Sequence, residues 1–343
     1  MNLILMFFLI GSVSWVLTGI LRRYALVNSL IDIPNERSSH SIPTPHGGGV
    51  AIVITFLIGL IILWDKSLLE YSYLLGLAGA GLWVAIIGFM DDHGHIPARW
   101  RLLSHFAAAF WLLFWFEGLP PLILFGITYD LGWIGHMMAS IALVWLLNLN
   151  NFMDGIDGIA GVEALSSTLV AGLLFLLVLD NQEMAFIHIL MSAAVAGFLV
   201  WNFPPAKIFM GDVGSGFLGL MLGALILYSS HVEPQFFWVL LILLGVFIVD
   251  STYTLIRRLL KGEKVYEAHC SHAYQSASRK HGSHLHVTSG VLLINLVWLA
   301  PWAFAVVFGV VEGVVALVFA YGPLLLLVKY YHTGDMDVNV ENS

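Results

Sequence analysis

Charge is what this chain has least of. Of its 343 residues only 10% are Asp, Glu, Lys or Arg, where soluble domains carry roughly 25%. With 59% hydrophobic residues and a mean hydropathy of +0.89, that shortage excludes a soluble globular protein and predicts an integral membrane one. Cysteine is nearly absent: Cys270 stands alone, which excludes an internal disulfide and a cysteine-based metal site. Internal repeats and low-complexity tracts are missing too, and no soluble domain is left over once the apolar runs are marked. Nucleic acid is not an expected partner. The net charge of −8 says less than where the charges lie.

Runs long enough to cross a ~30 Å hydrocarbon core recur along the whole chain. They predict an all-α polytopic membrane protein with about eleven spans, at 2–20, 49–64, 71–90, 102–117, 131–147, 161–179, 184–201, 215–230, 236–256, 288–307 and 313–329. The count falls to ten if one short segment is re-entrant. The first run lacks a basic n-region, and Arg22 and Arg23 follow it, so it reads as an uncleaved span rather than a signal peptide. Placing the N-terminus outside puts 13 of the 14 Lys and Arg residues on the cytoplasmic side, with only Lys66 outside. That asymmetry is the positive-inside pattern. Residues 1–331 then form one transmembrane catalytic domain, and 332–343 a short cytoplasmic tail. The inner loops 21–48, 91–101, 148–160, 202–214 and 257–287 hold nearly all the unusual residues, so the chemistry is expected at the cytoplasmic face.

Four of those loops carry constellations. In GFMDDHGHIPARWR, Asp91 and Asp92 end the third span. An ionised Asp at the centre of a membrane helix costs about 2.5–3.5 kcal/mol, and two adjacent acids repel unless a cation or proton relieves them. In NLNNFMDGIDG, Asp154 and Asp157 stand three apart, and Asn148 and Asn151 repeat the spacing. If the stretch is helical, both carboxylates share one face. An ordinary Asp-Gly turn explains one DG, not two with paired asparagines. In WNFPPAKIFMGDVGSG, Asp212 is flanked by glycines and followed by Ser215. An acid so placed suits Mg²⁺, which takes one or two carboxylates with water and substrate phosphates. In EAHCSHAYQSASRKHGSH, His269 and His272 share a helical spacing, followed by Arg279, Lys280 and further histidines. Zinc would lack an obvious third ligand there; donors to an anionic phosphate fit equally well. The inner loop DIPNERSSHSIPTPHGGG adds Asp32, Asn35, Arg37, His40 and His46 as further polar candidates.

Together these motifs resemble the polyprenyl-phosphate N-acetylhexosamine-1-phosphate transferase family, glycosyltransferase family 4. The resemblance rests on Asp91-Asp92, the Asn-x-x-Asn-x-x-Asp-Gly-x-Asp-Gly run from Asn148, the Asn202–Ser215 stretch ending in Gly-Asp-Val-Gly-Ser, and the His-x-x-His-x-Tyr loop. The wording DIPNERSSH and HAYQ is closest to the branch that initiates O-antigen synthesis. One departure is Cys270, where that branch carries an arginine between the two histidines. The resemblance implies transfer of N-acetylhexosamine 1-phosphate from a UDP-N-acetylhexosamine to undecaprenyl phosphate, with UMP released, at the bacterial inner membrane. It implies Mg²⁺ as cofactor, with Mn²⁺ as a substitute, held by Asp212. It implies catalytic roles for Asp91, Asp92, Asp154 and Asp157, and substrate contacts from His46, Asn148, Asn151, Asn202, Phe209, His269 and His272. A homodimer is expected by the same analogy. Two other classes compete: a transporter, since intramembrane acids line ion pathways, and another lipid-phosphate transferase such as a CDP-alcohol phosphotransferase.

Overall fold

The computed structural model describes residues 2–34, 40, 42–94, 96–263 and 270–331. His269, Asn35, Arg37 and the expected tail 332–343 lie outside these. The described chain is almost entirely helical. It opens with α1 (Leu3–Val27), started by the Asn2 side chain accepting from the Ile4 amide at 2.9 Å. A two-residue pair follows, β1 (Ile31–Asp32) antiparallel to β2 (Thr44–Pro45), with Ile31 opposite Pro45. Then come α2 (Val50–Asp65), α3 (Tyr71–Gly94) and α4 (Ala98–Trp115). A hairpin, β3 (Leu122–Leu124) with β4 (Ile127–Tyr129), leads into α5 (Gly132–Met153). Next are α6 (Ile159–Leu177), α7 (Gln182–Asn202) and α8 (Asp212–Val232). The remainder comprises α9 (Phe236–Leu243), α10 (Gly245–Leu260), α11 (Ala273–His281), α12 (His284–Leu293), a π-helical turn at Ile294–Leu299, α13 (Ala300–Val307) and α14 (Gly313–Tyr330).

Among the described residues, eight helical stretches are long and apolar enough to cross a membrane, or nine if the bent pair α9–α10 is one span. This makes the chain a multi-pass membrane protein. Two of the eleven predicted spans form helices that are not among these. The run at 49–64 maps onto α2, only 16 residues long, and the run at 102–117 onto α4, whose first turns carry Arg99 and Arg101.

The bundle is centred on α8, in which every residue from Val213 to Ser230 is buried. By contrast α1 leaves Ile4, Leu5 and Phe8 about two-thirds exposed, an apolar face suited to lipid. No hydrophobic effect pulls helices together inside a bilayer, so close backbone approach through small residues does the packing. A Cβ on Gly88 of α3 would lie 2.6 Å from the Asp212 carbonyl oxygen, and one on Gly219 of α8 would lie 2.5 Å from that of Leu146 in α5. These two glycines seat α8 directly against α3 and α5.

Several expected loops shrink because the helices run on. The 91–101 loop reduces to a short link, since α3 continues to Gly94 and α4 begins at Ala98, leaving Asp91 and Asp92 in a final helical turn. The 148–160 loop loses its first half to α5, and the 257–287 loop contains α11. The predicted span 236–256 is broken, α9 and α10 meeting at 72°.

Candidate active site

Four chain segments converge at the end of the bundle where α3 and α5 stop and α8 begins. The α8 terminus needs acceptors, because the first amides of a helix have no intrahelical partner. Asp92 of α3 supplies them across the interface. Its Oδ1 accepts from the Asp212 amide at 2.9 Å and its Oδ2 from the Val213 amide at 3.2 Å. Asp91 faces another way: its carboxylate accepts from the Ile96 amide at 2.7 Å and is ion-paired with Arg101. The same guanidinium lies 3.8 Å from the Asp212 carboxylate.

Helix α5 delivers the asparagines. Asn151 donates through Nδ2 to Asp212 Oδ1 at 2.8 Å and to Ser215 Oγ at 2.9 Å. Asn150, one position away and buried, donates to the Ser215 carbonyl at 2.7 Å. Asn148 turns back on its own helix, donating to the Val144 carbonyl at 2.7 Å; it lines a small side cleft with Asp91, Arg101 and Asp212.

The helical geometry expected for Asp154 and Asp157 is not what forms. Helix α5 ends at Met153, and the two acids sit in the turn before α6. That turn is pinned from α7: Asn202 Oδ1 accepts from the Gly158 amide at 3.1 Å, and its Nδ2 donates to the Ile208 carbonyl at 3.0 Å. Asp157 is fully engaged. Its Oδ2 accepts from the Ala206 amide at 2.9 Å, and its Oδ1 lies 3.1 Å from His284 Nδ1. Burial pushes its carboxyl up, but the His284 and Ala206 hydrogen bonds outweigh this and hold it below the usual carboxylate range. Asp154 responds oppositely. Burial first, then the like charges of Asp212, Asp157 and Asp92, push it well above that range.

These groups face a cavity of about 500 Å³. Asp92, Asn151, Asp154, Asp157, Asn202 and Asp212 form its floor and walls. His46 and Phe209 line it from above, held in place because the Phe209 amide donates to the Pro45 carbonyl at 2.8 Å and its carbonyl accepts from Gly48 at 2.9 Å. His40 sits with its ring 4.8 Å from that of Phe209, near-perpendicular. Asp32, Gln275 and His284 complete the rim. The lining thus holds five carboxylates, three histidines and, among the described residues, no lysine or arginine. Among the described residues no three His, Cys, Asp or Glu side chains converge on one metal-binding point. The donor set is one of hard carboxylate oxygens beside amides. It fits Mg²⁺, which takes one or two carboxylates and completes its shell with water and phosphate.

Comparison with known proteins gives the family. Residues 74–230 match the model of glycosyl transferase family 4. The chain is 27% identical over 268 residues to the probable undecaprenyl-phosphate N-acetylglucosaminyl 1-phosphate transferase of Bacillus subtilis, covering 76% of this chain and 72% of the relative. It is 31% identical over 242 residues to the phospho-N-acetylmuramoyl-pentapeptide-transferase of Streptococcus thermophilus, covering 66% and 68%. Against the protein of that name from Streptococcus pneumoniae it is 30% identical over 245 residues, covering 65% and 71%. The chain belongs to glycosyl transferase family 4.

The segment matched to the family contains Asp91, Asp92, Asn148, Asn151, Asp154, Asp157, Asn202, Phe209 and Asp212. The other walls come from outside it, and there sequence reasoning missed a residue. Asp250, buried in α10, accepts from the Ala273 amide at 2.9 Å (Oδ1) and the Tyr274 amide at 3.1 Å (Oδ2). It therefore caps α11 from a distant helix. His272 was expected against substrate; instead it is buried with Nδ1 3.3 Å from Asp250, and it does not line the cavity. Next along, Tyr274 donates its hydroxyl to the Phe152 carbonyl at 2.9 Å, and a Cβ on Gly155 would meet that hydroxyl at 2.1 Å. Asp250 thus props α11, and α11 props the turn carrying Asp154. The available signal was a single acid inside the run GVFIVDSTYTL.

Proposed function

We propose that this member of the family transfers N-acetylhexosamine 1-phosphate from a UDP-N-acetylhexosamine to a polyprenyl phosphate. An oxygen of the lipid phosphate attacks the β-phosphorus of the donor. The bond from that phosphorus to the bridging oxygen breaks, UMP leaves, and a polyprenyl-diphospho-sugar forms. The observation that carries this reading is the carboxylate-lined cavity at one end of an apolar bundle, where a water-soluble nucleotide sugar and a lipid-borne acceptor can meet. The names of the relatives point to the same chemistry.

Phosphoryl transfer asks a protein mainly for positioning and charge neutralisation. With no lysine or arginine in the described lining, an acidic cavity repels a diphosphate unless a cation intervenes. We assign that cation as Mg²⁺, with Mn²⁺ as a substitute; when bound it neutralises the diphosphate oxygens and the developing charge on UMP. Asp212 would hold it, oriented by Asn151 through Oδ1 and by Asp92 through the backbone. Asp154, which lines the same cavity, would be the second ligand. Asp91, tied to Arg101, positions that guanidinium beside Asp212. Phe209 offers a ring face for the base, and His46 and His284 offer donors to phosphate or sugar. The product would feed O-antigen or another surface polysaccharide, and the cavity end would face the cytoplasm, a placement the positive-inside reading of the sequence supports.

Purified protein in detergent, given undecaprenyl phosphate, Mg²⁺ and individual UDP-N-acetylhexosamines, tests this. UMP release with one donor, lost in Asp212→Ala, is the expected result. Folded protein that releases no UMP with any donor overturns it.

A further inference from the structure

A second cavity, of about 470 Å³, lies on the far side of α11 from the acids. Its walls are Val246 of α10, Ala277 of α11, Val291 of α12, Ile294, and Leu324 and Leu327 of α14. No residue lines both cavities: Gln275 of α11 faces the acids, whereas Tyr274 and Ala277 face the apolar space. The one acid in its wall is Asp250, whose two oxygens are taken up by the α11 amides, so the wall offers no unengaged carboxylate.

The mouth has a different character. His281, His286 and Tyr331 stand there. Lys280 reaches this rim through Tyr331, its Nζ 5.6 Å from the Tyr331 ring centre, 4.3 Å from that of Tyr330 and 2.8 Å from the Tyr330 hydroxyl. Between Cys270 and Tyr331 the sequence holds Arg279, Lys280, Lys329 and four histidines. Its only acid is Glu312, at the opposite end of α14. A second cleft across the α10–α14 contact is lined by Tyr253, Ile256, Leu260 and the cations Arg257 and Lys329. An apolar slot with a cationic mouth at a membrane edge is complementary to one ligand chemistry, a hydrocarbon chain ending in an anion.

We propose that this cavity binds an anionic phospholipid of the surrounding bilayer, one acyl chain in the slot and the phosphate against Lys280, His281 and His286. The acceptor lipid is the poorer occupant: a phosphate at this mouth is separated by α11 from Asp212 and Asp154. The site would act on α11, which carries Gln275 into the acid cavity and holds the Asp154 turn through Tyr274. The inference stands apart from the transfer reaction, and its readout needs no turnover.

The test is lipid retention by the full-length protein in detergent, followed by native mass spectrometry with phosphatidylglycerol, phosphatidylcholine of the same chains, or undecaprenyl phosphate. Two variants probe the two halves of the site. Gly290 lines the slot, and a Cβ there would meet no atom within 4 Å, so the position accepts a side chain and Gly290→Phe directs a ring at the space. Lys280→Glu reverses charge at an exposed position. We expect phosphatidylglycerol to be retained about tenfold over phosphatidylcholine, as befits a cationic mouth. Gly290→Phe should lower retention of both, and Lys280→Glu should erase only the preference. Equal retention of the two phospholipids overturns the proposal. So does phosphatidylglycerol retention unchanged in both variants. Undecaprenyl phosphate displacing phosphatidylglycerol one for one would also overturn it and assign the slot to the acceptor's chain.

Discussion

Asp92→Asn separates a residue that holds the site together from one that does the chemistry. In the native site both Asp92 oxygens take amides at the α8 terminus, at 2.9 and 3.2 Å. The substituted amide keeps one acceptor, turns an NH₂ toward the other backbone N–H, and removes the negative charge. Loss of a helix cap costs about 0.5–2 kcal/mol, and loss of a charge at a helix N-terminus about 0.3–1 kcal/mol, rising to ~2 where partly buried. Because Asn retains part of the cap, the sum comes to roughly 1–3 kcal/mol. That predicts a thermal midpoint lowered by a few degrees. Asp212 is the first residue of α8, so its carboxylate shifts with the loosened turn, and a misplacement of ~1 Å costs on the order of 100-fold in rate. The paired assay is thermal unfolding of purified protein in detergent beside UMP release at saturating Mg²⁺. Both should fall together, kcat by about 10- to 100-fold, and Asp92→Glu, which keeps the charge, should recover part of the stability. A variant with an unchanged midpoint and a rate reduced by ~10⁴-fold or more, the scale of general acid–base loss, would refute this. Asp92 would then act on the reacting atoms.

Three further outcomes follow from the same geometry. Gly88→Ala places a methyl 2.6 Å from the Asp212 carbonyl oxygen; overpacking of this kind costs about 1–3 kcal/mol, and UMP release should fall with the thermal midpoint, whereas Gly322→Ala, where a Cβ meets nothing within 4 Å, should lower neither. The Asp157 carboxyl is held below its ordinary value by His284 and the Ala206 amide, so its contribution is present above the unfolded value of about 3.9 and lost as pH falls through the lower folded value. The gap in midpoint between native protein and Asp157→Asn should therefore close as pH falls below about 4. Stripping divalent ions with EDTA should abolish UMP release, Mg²⁺ or Mn²⁺ should restore it and Ca²⁺, with its larger coordination shell, should restore far less.

The all-helical membrane fold was legible because hydrocarbon imposes one solution on apolar runs of this length. The acids were legible for the converse reason: Asp91, Asp92, Asp154, Asp157 and Asp212 are too costly to strand beside lipid without a partner. Their partners were not. Asp92 meets α8 across 120 residues of chain, and His284 meets Asp157 across 127, separations over which spacing carries no information. The face that a helical Asp154 and Asp157 would share does not form, because α5 stops at Met153 and α6 starts only after Gly158, which sits at φ +75°. His272 looked like a ligand from its motif, yet its ring is buried beside Asp250 and is not part of the cavity lining. Asp250 was not legible because the amides it satisfies, those of Ala273 and Tyr274, lie 23 and 24 residues further along the chain.

Helix α8 meets protein on every side, whereas the most exposed apolar faces belong to outer helices such as α1 and α14. Bilayer thickness therefore acts on the outer helices, which can tilt to match a thicker or thinner membrane, while the helix bearing Asp212 is sheltered from that adjustment. A chain built this way can keep its reacting geometry constant as a cell changes the length of its fatty acids with temperature.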